Sequence, residues 1–312
     1  MMISTLVNKE KKKLLFCAST FKMKSMKMVV LLTLALIMMS GCKKDKKNEL
    51  FTVPTASSAV GYNKLSFNDE FNSLSTIDVN ATKQAGYNWY IDPPIWSSVN
   101  APPSSYSVSN GVLTLSSDLA GLYSYSSHGD LGNSFHYGYF EARMRFDPAS
   151  GASSNGWPAF WSLSTKHCVH NNLDIWSELD FFEAYTGGHS AFGDVFVGTL
   201  HEWGWSGGVN IHYQNSNNFA ANTVDSQWHT YGCLWVPGKV TWYFDGGPLM
   251  TQNYSATAPP DPLPNAGAGS PTPPSAGTFM NIDDDLEGMT IFLGTGSDWP
   301  LEVDWVRVWQ AK

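Results

Sequence analysis

The chain has 312 residues, of which 43% are hydrophobic and 14% aromatic, and its 27 acidic against 19 basic side chains give a net charge of −8. Nucleic-acid binding rests on many cationic contacts to phosphates, so this balance excludes a nucleic-acid partner and argues against a reader of densely sulfated polymers. The length is ample for one large domain with a sizeable core.

Lys9, Lys11, Lys12, Lys13, Lys22, Lys24 and Lys27 precede the apolar run Met28–Met39, which ends at Ser40, Gly41 and Cys42. This order resembles a bacterial lipoprotein signal peptide over residues 1–41, with Cys42 lipidated as the mature N-terminus. The run is shorter than the roughly 20 residues of a membrane-spanning helix. The resemblance implies a cell-envelope protein held to the outer membrane or cell surface through its lipid. An ordinary cleaved signal and a secreted product is the alternative, because Met39 is an uncommon residue three places before such a cysteine. From Cys42 onward seven lysines and Glu10 are gone, leaving 12 basic against 26 acidic residues, a net charge of −14. Residues 42–60, with Lys43, Lys44, Lys46 and Lys47, read as a polar tether. Cys168 and Cys233 either pair or remain free thiols, and their spacing is not that of a metal site.

Residues 61–312 read as a single all-β domain without internal repeats, expected to be a monomer. Strands are predicted over 111–115, 139–146, 195–200, 239–244 and 301–309, several alternating apolar and polar residues, with no long helical pattern between them. That spacing predicts a sandwich of antiparallel sheets. Residues 255–277 hold seven of the 17 prolines and read as a long surface loop. Of the 13 tryptophans, Trp157, Trp161, Trp203, Trp205 and Trp299 are candidates to line a groove, since indole faces stack on the apolar faces of sugar rings.

The stretch Glu178-Leu179-Asp180-Phe181-Phe182-Glu183 places three carboxylates among large apolar side chains. On a helix, at about 100° per residue, Glu178 and Glu183 would diverge by roughly 140°. On a strand, Glu178 and Asp180 share one face, but period two sends Glu183 to the other. A β-bulge at Phe181 and Phe182 would bring Glu183 back beside the first two acids. Two glutamates effectively four strand positions apart, about 13 Å at Cα, can then lean their long side chains together over one bond.

The motif resembles the E-x-D-x-x-E signature of glycoside hydrolase family 16, the retaining endo-acting β-glucanases and β-galactanases. Its flanks agree in order: Tyr137–Arg143 and Gly156–Trp161 before it, then Gly198–His201, Trp228–Tyr231, Trp235, Trp242–Gly246 and Val303–Val308 after it. The likeness runs from about Leu65 to Gln310. It implies a β-jelly-roll sandwich of two curved antiparallel sheets with an open cleft. It further implies that Glu178 is the nucleophile, Glu183 the acid and base, and Asp180 the residue that tunes them. His201 would hydrogen-bond substrate or Asp180, and Arg143 either binds substrate or pairs within its sheet. No catalytic cofactor is implied. A structural calcium would be held by Asp304 with carbonyls near Glu70 and Gly111, oxygen ligands suiting that ion.

The resemblance implies a polysaccharide substrate, with β-1,3- or β-1,3/1,4-glucan favoured by Gly198–His201. A β-agarase or other galactan hydrolase is one alternative, and a non-catalytic glycan-binding lipoprotein is another. Residues 88–96, 255–287 and 292–300 depart from the family pattern, which leaves the subsites open.

Overall fold

Period-two alternation sets the strands of this computed structural model, which describes residues 51–92, 101–116, 121–126, 131–146, 157–170, 176–185, 195–206, 209–219, 226–254, 282, 288–294 and 300–312. One eight-stranded sheet runs β16 (Gly247–Asn253), β15 (Lys239–Phe244), β14 (His229–Val236), β9 (Gly138–Arg145), β18 (Leu301–Gln310), β5 (Val112–Leu115), β4 (Tyr106–Ser109), with β1 (Lys64–Asp69) also on β18. The other runs β13 (Val209–Asn218), β12 (Val195–Ser206), β11 (Trp176–Tyr185), β10 (Ala159–Ser164), β17 (Met289–Gly294), β6 (Gly121–Tyr123), β3 (Trp89–Tyr90), β2 (Ile77–Asp78). Strands β7 (Tyr125–Ser126) and β8 (Leu131–Gly132) form a separate hairpin. Neighbours are antiparallel except β2 and β3.

The inner faces of both sheets meet in one core, which gives the expected jelly-roll sandwich. Phe140, Ala142 and Met144 of β9 join Phe181 and Phe182 of β11, Trp242 of β15 and Val306 of β18 there. Phe140 stacks on Phe181 of the facing sheet at 4.4 Å. Trp89 lies in this core too, and its Nε1 donates to Asp69 at 3.0 Å. Cys168 and Cys233 are both free and buried, the first against Leu163 and Phe292, the second in the main core.

The domain begins earlier than residue 61. The short helix α1 (Thr55–Ser58) and its flanks bring Val53, Ala56, Tyr62 and Leu65 onto Tyr139, Leu234 and Trp309, and the compact unit starts at Thr52. The outer face of the first sheet is apolar at this point and takes the end of the expected tether as its cover. A second helix, α2 (Thr165–His170), follows β10.

On the same outer face Glu141 is buried, and its Oε1 accepts a 2.9 Å bond from the Tyr139 hydroxyl. Burial pushes Glu141 from 4.5 up to about 7, against Tyr139 and Arg307, which lower it. The folded-state value is raised, so this group's contribution is intact below about 4.5 and is lost as pH rises through about 7. Glu141→Gln should leave stability at pH 4 near wild type and raise it at pH 8, by on the order of 1–3 kcal/mol. Denaturant unfolding at the two pH values checks this; an equal change at both would refute it.

Candidate active site

The site is built on β11. Its neighbour β12 pairs Asp180 with Thr199 and Glu183 with Val197, so Phe181 and Phe182 together stand opposite the one residue Gly198. On the other side β10 slips at the same point, pairing Phe160 with Phe182 and Trp161 with Asp180. This is the bulge the motif requires. Both phenylalanines are fully buried in the core, and Ala184 follows them inward. Phe181 meets Phe140 and Phe160; Phe182 meets Phe146, Phe196 and Tyr231. Glu178, Asp180 and Glu183 consequently share the outer face of the second sheet.

Around the acids stand ring N–H donors. Trp203 Nε1 donates to Glu178 Oε2 at 2.8 Å, and Trp157 Nε1 to Glu183 Oε1 at 2.8 Å. His201, the register partner of Glu178, places Nε2 2.9 Å from Asp180 Oδ2 and 3.8 Å from Glu178 Oε1. Asp180 and Glu183 are joined by a hydrogen bond that raises Glu183 and lowers Asp180, as when a protonated Glu183 donates to an ionised Asp180.

Burial raises the proton affinity of all three acids. Glu178 is pushed up to about 7, with Glu183 adding to the rise and His201 and Trp203 opposing it. Asp180 is held well above the usual range by burial and by Glu178. Glu183 is held well above it by burial and then by the Asp180 charge, with His201 and Trp157 pulling down. Each glutamate accepts from an indole. Glu178, however, keeps 18% of its side chain exposed and is pulled down first by His201, whereas the Asp180 charge and hydrogen bond hold the proton on Glu183, so Glu178 ionises first. The arrangement offers, on one face, a carboxyl that ionises near pH 7 and a second one held protonated by burial and by the charge beside it.

Trp161 faces the same side, stacked on Phe292 at 4.2 Å beside Asp180, and Trp157 is one of the exposed large apolar side chains, at 37%. Trp205 lies on β12 opposite Asn210, but its side chain, Trp299, Cys42 and the proline-rich loop fall outside the described residues. Of the two readings of Arg143, the structure shows the pairing and not substrate binding. Arg143 sits on the outer face of the first sheet, on the far side of the core from the acids, paired to Asp304 at 2.6 Å and lying over Trp228. Its strand-mate Glu141 accepts from Tyr139.

The residues proposed for calcium do come near one another in register, since Leu113 pairs with Val303 and Asp69 with Val306. Yet the Asp304 carboxylate, the one charged ligand in that set, is taken by Arg143 at 2.6 Å. Gly111 is accounted for by the Asn110-Gly111 turn between β4 and β5, where both residues have positive φ. With a guanidinium already supplying the positive charge there, the Asp304 carboxylate as it stands does not fit the role of calcium ligand. Among the described residues, the acidic and histidine side chains that converge closely enough to hold a metal are Glu178, Asp180 and His201 of β11 and β12.

Two residues escape sequence reasoning as parts of the site: Gly198 and Trp242. Trp242 Nε1 donates to the Asp180 carbonyl at 2.8 Å across the core. Its 62-residue separation from Asp180 leaves no local signal for that contact.

Residues 96–268 match the profile of "Glycosyl hydrolases family 16". Two Rhizobium meliloti proteins, the endo-1,3-1,4-beta-glycanases EglC and ExsH, are 30% and 28% identical over 57% of this chain. The chain covers 40% of the length of each. Among solved structures, a laminarinase from Flavobacterium sp. UMI-01 superposes with a TM-score of 0.48 at 16% identity, over 79% of this chain and 100% of that one. A Pseudoalteromonas carrageenovora kappa-carrageenase complex does so at 0.44 and 18%, over 78% and 92%.

Direct titration of the carboxyls by ¹³C NMR tests the donor assignment. Trp203→Phe should raise the Glu178 midpoint above about 7, and Trp157→Phe should raise that of Glu183, because each indole stabilises the ionised form. Unmoved midpoints would remove both indoles from the electrostatics.

Proposed function

Since this chain belongs to glycosyl hydrolases family 16, we propose that it is a retaining endo-hydrolase of a β-linked polysaccharide, with β-1,3- or β-1,3/1,4-glucan as its substrate. The observation that carries this reading is the bulged strand, which sets Glu178 and Glu183 on one face with different proton affinities. Glu178 attacks the anomeric carbon while Glu183 protonates the departing glycosidic oxygen, forming a glycosyl-enzyme. Glu183, now ionised, takes a proton from the water that displaces Glu178, and the anomeric configuration is retained. Asp180 lies between them, accepting from His201 and Glu183, and its charge keeps the proton on Glu183 until the leaving oxygen takes it.

The glucan choice is supported by the two relatives named as endo-1,3-1,4-beta-glycanases and by the scarcity of Lys and Arg, which disfavours sulfated galactans. Trp157, Trp161 and Trp203 supply indoles at the site; Trp205 and Trp299 complete the proposed aromatic lining. The calcium expected at Asp304 is not carried into the proposal, because Arg143 holds that carboxylate. The proposed location is the cell envelope, with the domain of residues 52–312 anchored as a monomer through lipid on Cys42. Its support is the order of lysines, apolar run and cysteine in residues 9–42.

Reducing-end release from laminarin, lichenan, agarose and carrageenan tests the substrate, and release from agarose alone would sink the glucan choice. Glu183→Gln should lower kcat by about 10²–10⁴-fold, and Glu178→Gln should abolish turnover. Tight polysaccharide binding without new reducing ends would point to a lectin-like protein instead. In cells fed labelled palmitate, label should enter wild type and be missing from Cys42→Ala; unlabelled wild type would overturn the anchor.

A further inference from the structure

Whatever the acids do, they do it only while Glu183 stands on the same face as Glu178. A bulge is a one-residue slip, and a ladder that closed up by one residue would turn Glu183 into the core and Phe182 out of it. Something must fix the slip between Asp180 and Glu183.

Three observations converge on that point. Gly198 is the single β12 residue opposite Phe181 and Phe182. A Cβ at Gly198 would lie 2.6 Å from Cδ1 and Cε2 of Trp242 and closer still to Nε1, so the indole fills the space a side chain would need. The same indole is fully buried, and its Nε1 donates at 2.8 Å to the carbonyl of Asp180, the residue immediately before the bulged pair. Trp242 sits on β15, in the other sheet, paired with Cys233 and Met250.

We propose that Trp242 is a positioning residue for the hydrolysis described above, a peg from the opposite sheet that seats under Gly198 and pins the bulge through the Asp180 carbonyl, thereby holding Glu183 on the catalytic face. The inference rests on the hydrolase reading for its kinetic consequences, but the pinning itself is a property of the fold. It accounts for a glycine in the middle of a buried strand with the need for close approach. It also couples the two sheets at the one place where the catalytic geometry depends on ladder register.

The deciding variant is Trp242→Phe, which keeps an aromatic ring in the core and deletes the N–H. The variant should remain folded. A looser bulge lets Glu183 withdraw from Asp180 and gain solvent, so its carboxyl should titrate at lower pH, and the alkaline limb of kcat/KM should move the same way. Turnover should fall roughly 10- to 100-fold through misplacement of the acid, while KM, set by the aromatic lining, changes little. Gly198→Ala, which keeps the N–H but displaces the ring, should shift both readouts in the same direction. The double variant should be little worse than either single one, because both act on one contact.

A Trp242→Phe protein with lowered melting temperature but wild-type kcat and an unmoved Glu183 titration makes Trp242 an ordinary core residue and overturns the proposal. If that variant does not fold, unchanged kcat and titration in Gly198→Ala overturn it instead. If wild type releases no reducing ends from any polysaccharide, the hydrolase reading falls. The NMR titration of Glu183 still decides the pinning.

Discussion

One slipped residue pair in β11 governs the rest of the structure. A regular strand through residues 178–184 would aim Phe182 at solvent and Glu183 into the core. Burying a phenylalanine is worth about 1.5–3 kcal/mol, and each aromatic contact adds roughly 0.5–1.5 kcal/mol. An unpaired carboxylate in the core costs several kcal/mol more. Against those terms the bulge sacrifices about one ladder position, so hydrophobic burial and ion avoidance favour the same slipped register. Function then inherits a geometry that packing has already selected.

The same register determines the electrostatics. Three acids set side by side on one face and largely dried by their neighbours cannot all ionise, so their proton affinities rise and separate. The sandwich bears a cost for this. Glu178, at about 7 in the folded protein, destabilises it progressively as pH climbs from its ordinary 4.5 through 7, and Asp180 and Glu183 act in the same sense. Trp203 and His201 relieve Glu178 enough for it to ionise first. An active face poorer in stability than an apolar one is the expected consequence of keeping a carboxylic acid protonated near neutral pH.

Most of this was legible in the chain because the informative patterns are local. Period two marks β9, β15 and β18 nearly to their ends, and the position of three acids among apolar residues by itself requires the bulge. Reach across the core was not legible. Nothing near Trp242 announces that its N–H ends on Asp180, and nothing near Gly198 announces the indole beneath it. The choice between the two readings of Arg143 is not legible for a related reason: in β9 both faces carry large apolar residues, Tyr139 on one and Phe140 on the other. Alternation alone therefore could not say which face looked outward, or that Asp304 of the next strand waited there. The tether was drawn too long because a few apolar residues, Val53, Ala56 and Tyr62, look unremarkable until Tyr139 and Trp309 are seen to need covering.

The two outer faces of the sandwich treat charge in opposite ways, and the contrast follows from chemistry. On the first sheet, acids meet guanidinium groups: Arg143 with Asp304, Arg145 with Glu302, Arg307 with Glu70. On the second, the partners found for Glu178, Asp180 and Glu183 are one histidine, two indoles and one another. A guanidinium beside Glu183 would hold its carboxyl ionised and leave nothing to protonate a leaving oxygen. Indole N–H groups steady the same oxygens without bringing a full positive charge. Tryptophan, abundant in this sequence and first read as a surface for sugar rings, thus serves a second purpose. It orients carboxylates while leaving their proton affinity high enough for acid catalysis.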